Sequence, residues 1–512
     1  MEGLLLFPIG LKSDIPSKIQ IINKIPENYK IRFSVLILAN LKTLKNNFAF
    51  LILLLFTALF ACKKNDVFTT KGVNLKFSTD TVFFDTIFSR LGQNPQLPRS
   101  VTLQVRVSNP DANAVKTNIS LAGNIYGLFK LNVDGRSGTS FKDIEILGND
   151  SIYIFVQAYI DQVNSNTPFI VADQILFETN GTKQDVDLIV WAQDANYIQN
   201  EILECTSNNM FWTSQKPYVI YDSILVPKGC TLTIDAGTQI YNYNNSSFLV
   251  AGTLIVNGNT DNPVVFQGAR LDDDYKELPG QWAGIRFLKG SINNRISGAI
   301  IKNGYIGIEV DSLPENSNPG LVLEQSIIKN MSAVGLLNYS ANIKAENNLV
   351  YNCGLFSFIG ELGGTYNLAH NTFYMGNTGT ARKDPGFYLS NAPSRAANGN
   401  IQFKIPLNFS LKNNIIIGSL DDEILFNNDA AGLPFGNKEF QNNLIKTLDG
   451  NLSVGNNILN TDPGFKDLFN QDFDLKAGSR CKGAGTPAGT ERDLKNRLRS
   501  LGAPSIGAYE GD

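Results

Sequence analysis

Basic side chains that could abstract a proton stand in a few informative settings. The only histidine among the 512 residues is His370, in the tripeptide Ala-His-Asn. An imidazole titrates near neutral pH, so His370 is a candidate general base. Lys302 and Lys329, each following Ile-Ile and preceding Asn, are candidate bases by residue type, and Lys344 is a third. The alternative is structural, because a residue that recurs in a repeated setting, or a histidine without an obvious partner, more often belongs to a core or a turn.

Two clusters of acidic residues could serve a ligand. Asp272, Asp273 and Asp274 stand in the stretch Arg-Leu-Asp-Asp-Asp-Tyr, and three carboxylates in a loop could hold calcium, which prefers oxygen ligands. The spacing Asp-x-Asp-x-Asp-Gly of a calcium loop is absent, so a solvated loop is the favoured interpretation. The second cluster, residues 421–423, is predicted to be a solvated turn. Calcium is the one candidate cofactor.

The N-terminal part carries a predicted export signal. Two lysines precede the apolar run Phe48–Ala61, and Cys62 follows it at once. A basic start and a short apolar core are typical of a secretory signal, and the run is shorter than the ~20 residues that a membrane span needs. We predict that residues 1–61 are a signal peptide with an N-terminal extension, translation starting near Leu41 or Leu44.

The four residues Leu-Phe-Ala-Cys that end at Cys62 resemble a bacterial lipobox, in which signal peptidase II cuts before the cysteine and the cysteine receives lipid. The resemblance implies lipid attachment at Cys62 and a tether over residues 62–72. The charged stretch that follows resembles lipoproteins of Bacteroidetes type. We therefore expect an outer-membrane lipoprotein, periplasmic or exposed at the cell surface, with the membrane as a partner.

Charge and cysteine content exclude some functions. Without residues 1–61 the chain has 37 basic and 44 acidic residues, a net charge of −7. This balance disfavours nucleic acid as a partner, because binding to a phosphate backbone needs a basic footprint. Besides Cys62 there are four cysteines without a Cys-x-x-Cys motif, so zinc is not indicated. Cys205 could pair with Cys230 in an oxidising compartment.

Short alternating strands fill the region before residue 200. Val101–Val107 and Val186–Val190 alternate apolar and polar residues, and turns such as Ser-Asn-Pro-Asp separate such segments. About seven strands of this kind predict a β-sandwich of immunoglobulin type over residues 73–198. We expect this domain to be a spacer, because it lacks a histidine and a clustered pair of acids.

The remainder, residues 199–512, contains an internal repeat. Two apolar residues followed by a polar turn recur at starting points 27, 22, 23, 43 and 29 residues apart. The aligned starts are Ile300, Ile327, Leu349, Thr372, Ile415 and Leu444. Such units bury their apolar face only by stacking on their neighbours, which predicts a solenoid. The step of 43 implies a loop insertion or a missed coil, and the abundant Asn doublets predict an asparagine ladder along the axis.

Motifs at both ends of this repeat resemble right-handed parallel β-helix proteins of the pectin-lyase-like superfamily. They are Pro-Lys-Gly-Cys-Thr-Leu-Thr-Ile at Pro227, Trp-Ala-Gly-Ile at Trp282, and Asp-Pro-Gly-Phe and Ile-Gly-Ala-Tyr-Glu near the C-terminus. The resemblance implies an all-β chain: an immunoglobulin-like sandwich followed by a right-handed parallel β-helix. It also implies that Trp282 packs on the core, and that the C-terminal motifs form the last coils and a cap.

The catalytic motifs of the hydrolases and lyases in that superfamily are missing. The sequence contains no Gly-His-Gly, Arg-Ile-Lys or Trp-Ile-Asp-His. We therefore expect a non-catalytic lipoprotein whose β-helix binds a glycan or another surface partner. The alternative is a divergent polysaccharide lyase or glycoside hydrolase acting on an acidic polysaccharide, which should show a lateral groove where acids converge with Lys or Arg.

Overall fold

The computed structural model describes residues 67–89, 102–123, 127–160, 163, 165–205, 207–316, 318–376, 379 and 381–511. The predicted signal peptide and the lipid site Cys62 lie outside these residues. The described chain is essentially all-β, and among its residues no helix is long and apolar enough to cross a membrane. The predicted all-β class is therefore confirmed.

Ten strands form the N-terminal part. They are β1 Lys76–Phe77, β2 Thr81–Phe88, β3 Leu103–Ser108, β4 Val115–Leu121, β5 Phe129–Val133, β6 Arg136–Gly138, β7 Ser140–Ile146, β8 Ser151–Ala158, β9 Phe169–Thr179 and β10 Thr182–Gln193. The front sheet has the order β1-β3-β8-β5-β6, and the back sheet has the order β2-β10-β9-β4-β7. Their alternating buried residues form one core cluster. The immunoglobulin-like topology stays a prediction.

Short strands in long parallel ladders follow. They are β11 Asn196–Ile202, β12 Asn209–Trp212, β13 Tyr218–Val226, β14 Thr231–Asp235, β15 Gln239–Asn242, β16 Ser247–Val250, β17 Thr253–Asn257, β18 Val264–Gly268, β19 Gly284–Phe287, β20 Asn294–Ser297, β21 Ala299–Lys302, β22 Ile306–Val310, β23 Leu321–Glu324, β24 Ile327–Met331 and β25 Val334–Tyr339. Next come β26 Asn342–Glu346, β27 Leu349–Cys353, β28 Phe356–Glu361, β29 Gly364–Ala369, β30 Thr372–Met375, β31 Phe387–Ser390, β32 Ser394–Arg395, β33 Ile401–Phe403, β34 Leu407–Lys412, β35 Ile415–Gly418, β36 Ile424–Asn427, β37 Lys438–Gln441, β38 Leu444–Ile445 and β39 Ile458–Leu459.

The ladders form three stacks that the chain visits in turn. Stack I runs through β15, β18, β21, β24, β27, β30, β35 and β38; stack II runs through β16, β19, β22, β25, β28, β31 and β36. Stack III runs through β12, β14, β17, β20, β23, β26, β29, β34 and β37. Inward apolar residues of successive coils form one continuous core. These long parallel sheets are compatible with the predicted β-helix; its right-handedness stays a prediction.

The register confirms the repeat. Ile300 pairs with Ile327, Ile327 with Leu349, and Leu349 with Thr372. Thr372 pairs directly with Ile415, so the step of 43 residues is an insertion within one coil. The insertion is fixed by Arg382 and Glu423, whose side chains are ion-paired and buried (Nη2–Oε1, 2.6 Å). The prediction that residues 421–423 form a solvated turn is therefore wrong for Glu423.

An asparagine ladder occupies the turn between stack III and stack I. The amide nitrogen of Asn371 donates to the Oδ1 of Asn414 (3.0 Å), and Asn414 repeats the bond to Asn443 (3.0 Å). Each of these amides also donates to a backbone carbonyl, as Asn414 does to Leu368 (2.9 Å). The predicted ladder is confirmed. It satisfies buried polar groups at each coil, which would otherwise lower stability.

The C-terminal segment differs from the prediction. Two strands, β40 Phe465–Asp467 and β41 Asp472–Leu475, form a hairpin. The chain after β41 then lies along the outer side of stack I: Ile506 packs in one cluster with Leu349 and Ile415, and Ala508 donates its backbone N–H to Thr372 (3.0 Å). The predicted terminal cap is therefore a lateral cover, because apolar side chains on the outside of stack I need burial.

A disulfide joins Cys205 to Cys230, whose Cα atoms are 6.2 Å apart, and this predicted pairing is confirmed. The other two cysteines of the described chain, Cys353 and Cys481, are free and buried. Trp282 is also buried, and its indole nitrogen donates to the carbonyl of Lys302 (2.8 Å), as predicted for a core residue.

Candidate functional site

Lys302 and Lys329 are brought together by the fold. They are register partners on the outer side of stack I. Both ammonium groups bind the carboxylate of Glu277, at 3.1 Å from Lys302 and 3.0 Å from Lys329. Burial raises the pKa of Glu277, but the two cations outweigh it, and the pKa is lowered overall. A general base must be neutral and must reach substrate, whereas these two lysines are ion-paired and largely covered.

His370 is a turn residue of the coil. It precedes Asn371 of the ladder, at the position held by Asn347 and Asn413 in other coils, and all three have a positive φ near 55°. This left-handed conformation favours asparagine, and histidine is tolerated there. His370 is fully buried, with Nδ1 3.1 Å from the carbonyl of Ser505 and Nε2 2.9 Å from the amide of Asn413.

These contacts set the charge state of His370. Asn413 donates to Nε2, so the Nδ1 of the ring carries the proton that the Ser505 carbonyl accepts. Burial, with a smaller contribution from the positive charge of Arg499, lowers the pKa of His370 to about 3. The ring is therefore neutral and enclosed by the C-terminal segment, which is the geometry of a structural histidine rather than of an accessible base.

The three aspartates of the predicted calcium loop line a cleft of about 750 Å³ together with Phe83 and Leu103. Asp272 is ion-paired with Arg270 (3.0 Å), and Asp273 is ion-paired with Lys276. Within the described ranges, no group of three or more His, Cys, Asp or Glu side chains could hold a metal ion. The geometry thus gives the calcium prediction no support at this loop.

A different cluster lies on the outer side of stack II. Arg286 of β19 and Glu309 of β22 are register partners, and Asp311 directly follows β22. The Nε of Arg286 is 3.0 Å and 3.1 Å from the two oxygens of Asp311 and 3.6 Å from Glu309 Oε1. The next two coils add Tyr339 and its register partner Glu361. We call these five residues the stack II cluster.

The electrostatics of the stack II cluster are uneven. Burial raises the pKa of Glu309, Arg286 partly opposes that shift, and the nearby Asp311 adds to it. Burial also raises the pKa of Glu361. The pKa of Tyr339 is raised by burial and then by the negative charges of Glu309 and Glu361. Such perturbed groups gathered at one place are a feature of functional sites.

Aromatic and apolar side chains continue the same outer face. Glu309, the register partner of Arg286, is followed at the same register position of successive coils by Leu337, Ile359 and Tyr388. Ile306, Phe356 and Tyr388 pack around a small cluster whose buried members include Leu337 and Ile359. Polar groups beside an apolar aromatic surface are the usual composition of a ligand site.

Sequence reasoning missed the stack II cluster because its members, apart from Glu309 and Asp311, lie far apart in the chain. Arg286 and Glu309 are separated by about one coil, as are Tyr339 and Glu361. No short motif joins them. The signal was the repeat itself: once the coil period is known, outward polar residues can be aligned from coil to coil and the acidic column becomes visible.

Comparisons with known proteins identify no family. No family model matches the chain, and no curated protein matches it. A solved protein of unknown function from Porphyromonas gingivalis is similar at 10% identity and TM-score 0.17, over 25% of this chain and 59% of that one. A family 123 glycoside hydrolase from Clostridium perfringens is similar at 7% identity and TM-score 0.18, over 28% of this chain and 30% of that one.

A longer alignment exists with the catalytic domain of a GH87 alpha-1,3-glucanase solved in complex with nigerose. It has 12% identity and TM-score 0.16, and it covers 68% of this chain and 82% of that one. Likenesses at such TM-scores carry no argument about fold or function.

Proposed function

We propose that this chain is a lipid-anchored outer-membrane protein whose right-handed β-helix binds a glycan across the outer face of stack II. The stack II cluster carries this proposal: Arg286 and two carboxylates, Glu309 and Asp311, converge there beside Tyr339. The lipid would be attached at Cys62, and the N-terminal pair of sheets would act as an immunoglobulin-like spacer.

The chemistry of the cluster suits sugar hydroxyl groups. Carboxylates accept hydrogen bonds from hydroxyls, and charge-assisted bonds of this type are stronger than neutral ones. Arg286 donates, and 47% of its side chain is exposed, so part of it can reach a ligand. The rings of Tyr339 and Tyr388 add amphipathic surface on which the apolar face of a sugar can pack.

The charge of the stack II cluster determines which kind of glycan it can bind. The cluster holds three carboxylates, from Glu309, Asp311 and Glu361, and one cation, Arg286. A polymer of uronic acids would meet like charge there, which lowers affinity. We therefore propose a neutral glycan for stack II, whereas the sequence alone favoured an acidic polysaccharide as substrate for the enzymatic alternative.

A matched pair of variants tests glycan binding. The pair Arg286–Asp311 has side-chain exposures of 47% and 18%, and the pair Arg295–Glu324 on stack III has 51% and 17%. On an array of neutral glycans we expect the wild type and Arg295→Gln to bind alike. Arg286→Gln should lose about tenfold in affinity, the effect of about one charge-assisted hydrogen bond. Equal loss in both variants, or in neither, would refute the site.

A glycoside hydrolase is the second candidate, and one observation favours it. Glu309 and Asp311 are neighbouring carboxylates in unlike environments, the first with a raised pKa and the second ion-paired with Arg286. Paired acids whose environments differ can divide the roles of acid and base. Glu309 would give its proton to the glycosidic oxygen, while Asp311 would take a proton from the attacking water.

An assay for released reducing ends distinguishes the glycan-binding protein from the glycoside hydrolase. Wild type that releases reducing ends from the glycan it binds, with Glu309→Gln losing at least about a hundredfold in rate, is a hydrolase. Binding without release supports a non-catalytic protein. The lyase alternative has less support, since its candidate bases Lys302 and Lys329 are both bound to Glu277.

The anchor is tested separately. Cells expressing the full chain are labelled with radioactive palmitate, and we expect label on the wild type and none on Cys62→Ser. Protease added to intact cells then distinguishes surface exposure from a periplasmic location. Label retained by Cys62→Ser would contradict the lipoprotein proposal without affecting the glycan site.

A further inference from the structure

The outer face of the front sheet has an unusual composition. Its central strand, β8, presents Tyr153 and Phe155 outward, and these side chains are 49% and 42% exposed. Residues two apart on a strand lie on the same face, about 7 Å apart. Two exposed aromatic rings side by side form an apolar patch, and exposed apolar patches rimmed by polar residues mark interaction sites.

Polar side chains flank the two rings. Arg106 on β3 is the register partner of Tyr153. Phe155 lies between Gln104 on β3 and Asn132 on β5, and Lys130 on β5 is paired with Gln157. A shallow cavity of about 370 Å³ opens beside Phe155. Its lining includes Lys130, Asn132, Ser137 and Gln157.

The charges of the front sheet have one sign. Its five strands contain no Asp or Glu, and their charged residues are Lys76, Arg106, Lys130 and Arg136. In the part of the chain that the structure describes, none of these four is ion-paired with a carboxylate. Arg106 is held by Ser151 through its Nε (3.0 Å), and Lys130 lies over the ring of Tyr159 (5.4 Å).

The back sheet provides an internal contrast. Its strands carry seven acidic and three basic residues, which are Asp85, Asp143, Glu145, Asp173, Glu178, Asp185 and Asp187 with Lys116, Lys142 and Lys183. The whole chain has a net charge of −3. The absence of acids from the strands is therefore a local feature of the front sheet and does not follow from average composition.

We propose that the outer face of the front sheet binds an acidic polysaccharide along β8. Sugar rings would pack on Tyr153 and Phe155, and the carboxylate or sulfate groups would accept hydrogen bonds from Arg106 and Lys130. The aromatic rings would contact sugar rings, and the cations would bind acidic groups. The ligand must therefore carry both sugar rings and acidic groups. This gives the N-terminal sheets a binding role distinct from that of the stack II cluster.

The test measures binding of the full-length protein to three immobilised polymers of similar length: polygalacturonate, heparin and neutral dextran. We expect binding to the first two that weakens as salt rises, because exposed charges are screened. Any binding to dextran belongs to the stack II site and should be unchanged by Tyr153→Ala. Preference for polygalacturonate identifies a carboxylated ligand, and preference for heparin a sulfated one. Binding to dextran that Tyr153→Ala weakens as much as it weakens binding to the acidic polymers would overturn the proposal.

Four variants locate the site. Tyr153→Ala should lose about tenfold in affinity, which corresponds to ~1.4 kcal/mol. The double variant Arg106→Gln with Lys130→Gln should lose at least as much and show a weaker salt dependence. Trp191→Ala on the back sheet, where the side chain is 46% exposed, and Lys116→Gln, 45% exposed, should bind as the wild type does. Equal losses in all four would overturn the site.

Two further binding measurements complete the test. Vesicles of anionic phospholipid that compete for the same face would show that it recognises a membrane rather than a polysaccharide, and would overturn the proposal. Binding of neutral glycan to stack II is measured on the same variants and should be unchanged in Tyr153→Ala, which separates failure of this site from failure of the stack II site. Melting curves of each variant verify folding, and the charge variant keeps the test decisive if Tyr153→Ala does not fold.

Discussion

Stack I and stack II are built from the same coils but have different outer faces. On stack I, every candidate base that residue type suggested is bound by another part of the chain: Lys302 and Lys329 by Glu277, and His370, in the turn that leads into stack I, by the C-terminal segment. On stack II, Arg286 is half exposed beside Glu309 and Asp311. In a solenoid, residue type alone therefore predicts catalytic residues poorly. Whether another segment of the chain covers a face decides whether its polar residues can reach a ligand.

This comparison implies that substitutions near stack I change stability, whereas substitutions on stack II change binding. The largest effect should come from the asparagine ladder. Asn414→Ala removes a buried amide that bonds Leu368, Asn371 and Asn443, and leaves their groups unsatisfied. We expect a loss of about 2–4 kcal/mol in the free energy of unfolding, measured by urea denaturation.

The exposed Asn367 on stack III is the control for the ladder. Asn367→Ala should change the free energy of unfolding by less than about 0.5 kcal/mol, as is usual for surface substitutions. Both variants should bind glycan normally wherever they are folded. A ladder variant that is stable but no longer binds would break the division between the two stacks.

His370 should give the next largest effect, and it depends on pH. Its pKa is about 3 in the folded state and ~6.5 when unfolded, so the unfolded state binds the extra proton between these values. The stabilisation is complete above pH 6.5 and is lost as the pH falls towards 3. At pH 5 the wild type should have lost about 2 kcal/mol through this group.

His370→Asn removes this pH-dependent contribution to stability and keeps the turn, because asparagine holds the same turn position in other coils, as at Asn413. We expect the variant to lose less stability than the wild type between pH 7 and pH 5, and to retain glycan binding and any hydrolysis. Parallel stability curves would show that His370 does not titrate as the contacts require. Loss of activity with unchanged stability would restore its candidacy as a base.

The parts of this structure that local pattern determines were predictable. Short apolar repeats specify which strands stack, so the register partners from Ile300 to Leu444 agree with the aligned repeats. The Asn doublets from residue 347 onward predict the ladder because the second Asn of each bonds the Asn at the same turn position in a neighbouring coil. What local pattern cannot show is which outer face is covered, since this depends on contacts across more than a hundred residues, such as Ala508 with Thr372.

The same limit explains the errors at the sites. Glu423 looked like one of three solvated acids, but Arg382, remote in sequence, buries it as an ion pair. The stack II cluster was missed because Arg286, Tyr339 and Glu361 come from different coils, and only Glu309 and Asp311 share a segment. In a solenoid, residues from different coils combine into one site, whereas a sequence motif detects only residues that are close along the chain.

Substitution of Glu309 on stack II should have opposite effects on stability and on glycan binding. Because burial raises its pKa, the charged form of Glu309 lowers stability as the pH rises through that raised value. Glu309→Gln should therefore raise the melting temperature slightly at pH 7 while lowering glycan affinity about tenfold. Calorimetry and binding are measured on the same preparation, with Glu324→Gln on stack III as the control that should not affect binding. A destabilised variant with normal binding would make Glu309 a structural residue.

The smallest effect should come from the lysines of stack I, and it decides whether they are structural. Lys329→Gln removes one of two cations that bind Glu277, a carboxylate that is 46% exposed. Exposed ion pairs contribute little, so we expect a change below about 1 kcal/mol and no change in binding or hydrolysis. Lys344→Gln, which breaks the pair with Glu346 on stack III, is the matched control. If Lys329 were a general base, its loss would lower the rate about a hundredfold at unchanged stability, and Lys344→Gln would not. That outcome would move the reacting site to stack I and reverse the assignment of the two faces.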